Sequence, residues 1–184
     1  MSTKLHVAKI PRTNGRSQPL SPRKRDANRR SARERIFDKA SELFYMKGIR
    51  AVGVETIAAE ADTTKMSLYR NFPSKDELVA EWLREHDARF WQTWEGMGNR
   101  YPSDPRRQIH VAFGLLAKHV ADPAARGCPM ANAAVEITEK DHPARKVIEA
   151  HKAKLRSRLM QICIRIGVPE PRLLADQLFL LNNY

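Results

Sequence analysis

Between Ser31 and Leu83, apolar residues recur at helical spacing in four consecutive segments, and the middle two are too short to be stable alone. The first opens on a capping box, Ser31-Ala-Arg-Glu34, in which the Ser hydroxyl accepts from a first-turn N–H and Glu34 reaches back. Ile36, Ala40, Leu43 and Phe44 then line one face. Gly48 is the expected stop, because glycine takes the left-handed conformation at a helix end at little cost. Val54, Ile57, Ala58 and Ala61 mark a short second helix. Asp62-Thr63-Thr64 supplies turn and N-cap chemistry. A third helix is expected from Lys65 to Asn71, with Leu68 and Phe72 inward and Pro73 ending it. Ser74-Lys-Asp-Glu77, a second capping box, opens a long fourth helix expected to reach about Met97, with Leu78, Trp82, Leu83 and Phe90 inward. The short helices must bury their apolar faces against each other, which makes a helix-turn-helix arrangement.

Beyond Gly98 the pattern stays helical. Asp104 to Val120 carries Ile109, Phe113, Leu116 and Val120 in phase, and an Ala-rich helix is expected from Pro129 to Glu139. Asp141-His142-Pro143 breaks the chain before a long helix from Ala144 to Ile166, and a last helix begins near Leu173. With no strand-like alternation and no internal repeat, the fold class is all-α.

Charge is distributed unevenly. The net charge is +12, and residues 1–30 hold +8 of it, with Asp26 their only acid. Two readings of this stretch are open: a solvated, disordered arm, or an arm that meets a polyanion. The two cysteines, Cys128 and Cys163, sit in no metal-like or disulfide-like pattern and fit a reducing, cytoplasmic setting. No apolar run suits a membrane span or secretory signal, so no membrane association is expected. The Arg-rich, acid-poor start is also compatible with a transit peptide.

The third helix carries the functional signal. Once Leu68 and Phe72 face the core, Thr64, Lys65, Ser67, Tyr69, Arg70 and Asn71 remain for other faces. Hydroxyls and cations suit phosphates, Arg suits guanine and Asn suits adenine. Lys75, in the first turn of the next helix, is placed to meet a phosphate beside free backbone N–H groups. The plain alternative is a solvated polar helix.

These residues carry a resemblance. The segment from Arg33 to Leu83, and above all the run IAAEADTTKMSLYRNFPSKDELV from Ile57 to Val79, resembles the DNA-binding domain of the TetR family of transcription regulators. The Ile-Ala pair, the Leu-Tyr pair, the aromatic before the turn and the Ser-Lys-Asp opening of the fourth helix are all present, over about a quarter of the chain. Three departures stand out. Gly53 occupies a position where Thr commonly caps the second helix, Asp62 replaces the usual turn glycine, and Met66 replaces a small residue.

The resemblance implies an all-α protein with an N-terminal helix-turn-helix DNA-binding domain and a helical-bundle effector and dimerisation domain. The expected divisions are 1–30 for the basic arm, 31–76 for DNA binding, and 77–184 for ligand binding and dimerisation. It implies a homodimer on double-stranded DNA, with one recognition helix per subunit in successive major grooves of a palindromic operator. Thr64, Lys65, Ser67, Tyr69, Arg70, Asn71 and Lys75 match DNA-contacting or backbone-holding positions. Glu55 matches a position that sometimes reads a base, and solvation alone also accounts for an acid there. An unknown small-molecule effector is implied, with Trp82, His86, Trp91, Trp94, Phe113, His119, Met130 and Asn132 as candidate pocket residues; ordinary core is their alternative reading. Leu155, Leu159, Ile162, Leu178 and Leu181 are the dimer-interface candidates. The last helix, LLADQLFLLNNY, looks short for the family's four-helix dimer interface.

Enzyme classes find no support. No HExxH, GxSxG, phosphate-cradling glycine loop or contextual Cys-His pair occurs, so no catalytic residue, metal or cofactor is expected. The competing function is a helical protein that binds nucleic acid without sequence preference through its basic N-terminal arm.

Overall fold

The computed structural model describes residues 30–182. Helix α1 spans Ala32–Lys47. Its capping box forms as the sequence predicts: Ser31 Oγ accepts the Glu34 N–H at 3.2 Å, and Glu34 takes the Ser31 N–H at 2.7 Å. The helix ends at Gly48, whose φ of 89° disfavours any side chain. A Cβ there would also press on the Glu136 carboxylate at 3.1 Å.

Helices α2, Val54–Glu60, and α3, Lys65–Asn71, follow. Asp62, in the turn between them, has a φ of 50° and is the one non-glycine residue with positive φ among the described residues. The turn is held from α1, where Arg35 donates to the carbonyls of Ala61 at 3.1 Å and Asp62 at 3.3 Å. Thr64 caps α3 by accepting the Ser67 N–H at 3.1 Å, and the chain leaves through Phe72 in extended conformation. The Arg33 guanidinium covers the Phe72 ring at 4.7 Å and forms an ion pair with Glu81.

Helix α4 spans Lys75–Arg100, three residues further than the sequence predicts, and passes through Gly96 and Gly98. Tertiary contacts account for the extension. Gln108, buried on α5, donates to the Tyr101 carbonyl at 2.6 Å, and Arg165 donates to Pro102 O at 2.5 Å. Helices α5, Pro105–Val120, and α6, Pro129–Glu136, come next. The latter stops short of the expected Glu139 because Ile137 turns extended and is buried, while Glu136 accepts the Arg50 N–H at 2.9 Å. Helix α7 spans Pro143–Ile166, capped by His142 at its start and by left-handed Gly167 at its end. Helix α8 spans Pro171–Leu181, and no strand occurs among the described residues.

Two apolar clusters organise these helices. The larger joins Ile36, Phe44, Ile57, Leu68, Phe72 and Leu83 with Met130, Ala133 and Ile137 from α6 and its C-cap and with Ala144 and Ile148 from α7. The smaller gathers Trp91, Leu155, Leu159, Cys163 and Ala175. Between them, Asp87 on α4 receives the indole N–H of Trp91 at 2.7 Å and contacts Nδ1 of buried His151 on α7 at 2.6 Å. That satisfies polar groups whose burial would otherwise be costly.

Candidate functional site

The packing of Leu68 and Phe72 dictates which face of α3 is outward. Thr64, Lys65, Met66, Tyr69 and Arg70 are exposed, whereas Ser67 and Asn71 are half-buried. Tyr69 and Arg70 make no hydrogen bond or ion pair with other side chains among the described residues. Lys65 is different. Its ammonium meets the Glu55 carboxylate of α2 at 2.5 Å. The hydrogen bond raises the Lys65 pKa and lowers that of Glu55, keeping both charged. Gly53, at the start of α2, offers no side-chain cap, as the sequence suggests.

Two predicted residues are engaged elsewhere. The Asn71 amide folds back onto its own helix and donates to Ser67 O at 2.8 Å. Lys75 donates to the carbonyl of Ile49 at 2.6 Å, and burial lowers its pKa. It closes the loop after α1 instead of standing free for a phosphate. Met66, 66% exposed, projects from the outward face and was visible in the sequence only as a departure from the family pattern.

A cavity of about 260 Å³ opens between α4, α5 and the segment before α6. It takes in the predicted His86, Trp94 and His119. Phe90, Met97 and Leu115 line it too, although the sequence did not single them out as pocket residues. The signal was available, because 86, 90, 94 and 97 form one helical stripe. Trp82 and Asn132 instead edge a broader groove near Arg50 and Arg126. Met130 and Trp91 are buried in the two clusters, and Phe113 packs against the smaller one, so all three serve as core. Burial, then the neighbouring His151 and Arg89, pushes the His86 pKa down to about 4, so its ring is neutral.

The cavity wall makes a polar contact with α1. The hydroxyl of Tyr45, near the end of α1, accepts the Arg126 N–H at 2.9 Å. It lies 3.4 Å from Gly127 O and 3.4 Å from His119 Nε2.

The dimer candidates also need correction. Leu155, Leu159 and Ile162 are buried inside the protomer, and Leu178 packs against the smaller cluster. They face inward because α7 supplies the core against α4 and α8. Of the five, Leu181 alone is largely exposed; Ile164 on α7 and Leu173 and Leu180 on α8 are exposed as well.

A helix of 16 residues, two short ones joined by a tight turn, and an outward polar face on the third define a helix-turn-helix DNA-binding protein. Residues 36–82 match the family model described as bacterial regulatory proteins, tetR family. The chain is 32% identical to a TetR-type transcriptional regulator of Streptomyces avermitilis of known structure, covering 84% of this chain and 83% of that one, with a TM-score of 0.70. A TetR-family regulator of Streptomyces coelicolor shares the fold at 24% identity, with 82% and 92% coverage and a TM-score of 0.68. An HTH-type transcriptional regulator in the lacX 3′ region of Lactococcus lactis is 25% identical over 136 residues, 73% of this chain and 69% of its own. The chain belongs to the TetR family of DNA-binding transcriptional regulators. No helix among the described residues is long and apolar enough to cross a membrane.

Proposed function

We propose that this regulator is a cytoplasmic homodimeric repressor that sets one α3 per protomer into successive major grooves of a palindromic operator. A small molecule in the α4–α5 cavity releases it. The observation that carries the reading is the outward face of α3, where Arg70 and Tyr69 stand exposed beside Lys65 and Met66. Arg70 suits a guanine edge, the Met66 side chain a thymine methyl, and Thr64, Lys65, Ser67 and Tyr69 suit phosphates. Asn71 and Lys75 act by holding α3 and the adjoining loop. Exposed Ile164, Leu173, Leu180 and Leu181 favour a partner on the α7–α8 side.

An effector changes DNA affinity only if it binds two states differently. Tyr45 supplies a contact through which cavity occupancy reaches α1, since His119 and Gly127 belong both to the wall and to its hydroxyl's surroundings.

The test is fluorescence anisotropy of the full chain with the duplex upstream of its own gene, against an unrelated duplex, across salt concentrations. Selective binding with two protomers per site supports the reading; equal binding to both duplexes contradicts it. The charge of +8 on residues 1–30, which lie outside the described region apart from Arg30, favours a non-specific contribution as well. Deleting residues 1–28 then weakens binding and flattens its salt dependence without changing the preferred sequence. An unchanged salt slope excludes that contribution.

A further inference from the structure

We infer, on the reading that the α4–α5 cavity is the effector site, that its ligand is an uncharged, largely aromatic molecule with a polar group facing His86 and His119. The walls carry this inference. Of the residues lining the cavity, none is Lys, Arg, Asp or Glu, in a chain that is 29% charged overall. Its polar side-chain groups are hydrogen-bond formers without fixed charge: two imidazoles, an indole N–H, a hydroxyl, a thiol and an amide.

Phe90 and Trp94 are stacked along α4 at 5.9 Å with 25° between their planes, so a flat ring system extends an existing stack. Leu115 and Leu116 of α5 supply apolar contact opposite. A volume of about 260 Å³ accommodates a compact molecule of a few rings.

The alternatives fail on charge. A cation would gain from the aromatic faces but would find no carboxylate in the wall, so the aromatic faces alone would have to offset its desolvation. An anion would need a cationic partner. His86 is held neutral by burial, and the nearby Arg89 guanidinium is already paired with Glu85. A neutral ligand meets neither cost, and a single hydroxyl, carbonyl or amine on it can bond an imidazole nitrogen.

The test uses two probes of one ring skeleton. N-phenyl-1-naphthylamine is neutral, and 8-anilinonaphthalene-1-sulfonate adds one negative charge. Each is titrated by fluorescence into the full chain and into Ala112→Trp and Thr93→Trp, which place bulk inside and at the edge of the cavity. The expected result is saturable binding of the neutral probe, tighter than the anion by about tenfold or more. Both variants should weaken the neutral probe by a similar factor while helical circular dichroism and DNA binding stay intact. An anionic probe that binds as tightly as the neutral one, and is lost in the same variants, overturns the charge assignment yet leaves the cavity as the effector site. Binding of neither probe, or binding that both variants leave unchanged, overturns the assignment and the effector reading together.

Discussion

The Tyr45 hydroxyl lies 3.4 Å from Nε2 of His119, a residue 74 positions away, and so joins α1 to the wall of the cavity. The hydroxyl has one proton and two acceptors within reach, His119 and the Gly127 carbonyl. A ligand that engages His119 removes one of them and biases the other. Tyr45→Phe is therefore expected to leave neutral-probe affinity within about twofold but to lower the probe's effect on DNA affinity. Allosteric coupling of this kind amounts to about 1–3 kcal/mol, and loss of one hydrogen bond should remove roughly 1 kcal/mol of it. Anisotropy titrations with and without N-phenyl-1-naphthylamine measure the coupling; an undiminished effect in the variant removes Tyr45 from the path.

The ion pair between Glu55 and Lys65 holds the first cation of α3 against its own protein. Both groups are exposed, so the pair adds little to stability. Glu55→Gln releases Lys65 toward phosphate and removes a repelling charge. Binding to any duplex should tighten a few-fold at low salt, with the slope of log K against log salt steeper by about one. If operator binding weakens instead, and only at a cytosine-containing step, Glu55 reads a base.

Asp62 adopts a φ of 50° in the turn that aims α3. A left-handed conformation costs an ordinary side chain about 1–2 kcal/mol, and Asp somewhat less. Asp62→Gly should raise urea-unfolding stability by roughly 0.5–1 kcal/mol, because the contact from Arg35 is to the backbone carbonyl and survives. A loss of stability would mean that the carboxylate has a structural part.

His86 gives a pH dependence with a defined sign. Its pKa is near 4 in the fold and 6.5 when exposed, so between those values the unfolded chain binds the extra proton. Stability is then complete above pH 6.5 and falls as pH drops toward 4, by at most about 3 kcal/mol from this group. Urea unfolding of wild type and His86→Gln at pH 7.5 and pH 5 isolates the effect, with a smaller fall expected in the variant. Equal falls in both proteins contradict it.

What the sequence disclosed was mostly local. The Ser31–Glu34 box, the Gly48 stop and the Thr64 cap depend on residue types a few positions apart, and the sequence reports them directly; at Asp62 the sequence showed a turn residue standing where the family has glycine. The outward face of α3 was legible for the same reason, since Leu68 and Phe72 leave only one assignment. What stayed hidden depends on distant partners. Lys75 finds the Ile49 carbonyl, Gln108 lengthens α4 through Tyr101, and Met130 joins a core built mainly by α1–α4. Leu155, Leu159 and Ile162 show an apolar stripe in sequence, but a stripe does not say whether a subunit or a neighbouring helix covers it. The basic arm is assigned to residues 1–30, of which 1–29 lie outside the described region.

The central claim is that the exposed face of α3 reads sequence. Its most direct test is the ratio of upstream-duplex to unrelated-duplex affinity for wild type and Arg70→Ala at one salt concentration. A bidentate arginine–guanine contact contributes about 1–3 kcal/mol of discrimination. The account predicts that the ratio falls by roughly tenfold or more while affinity for the unrelated duplex changes little. A ratio unchanged by the substitution would contradict it.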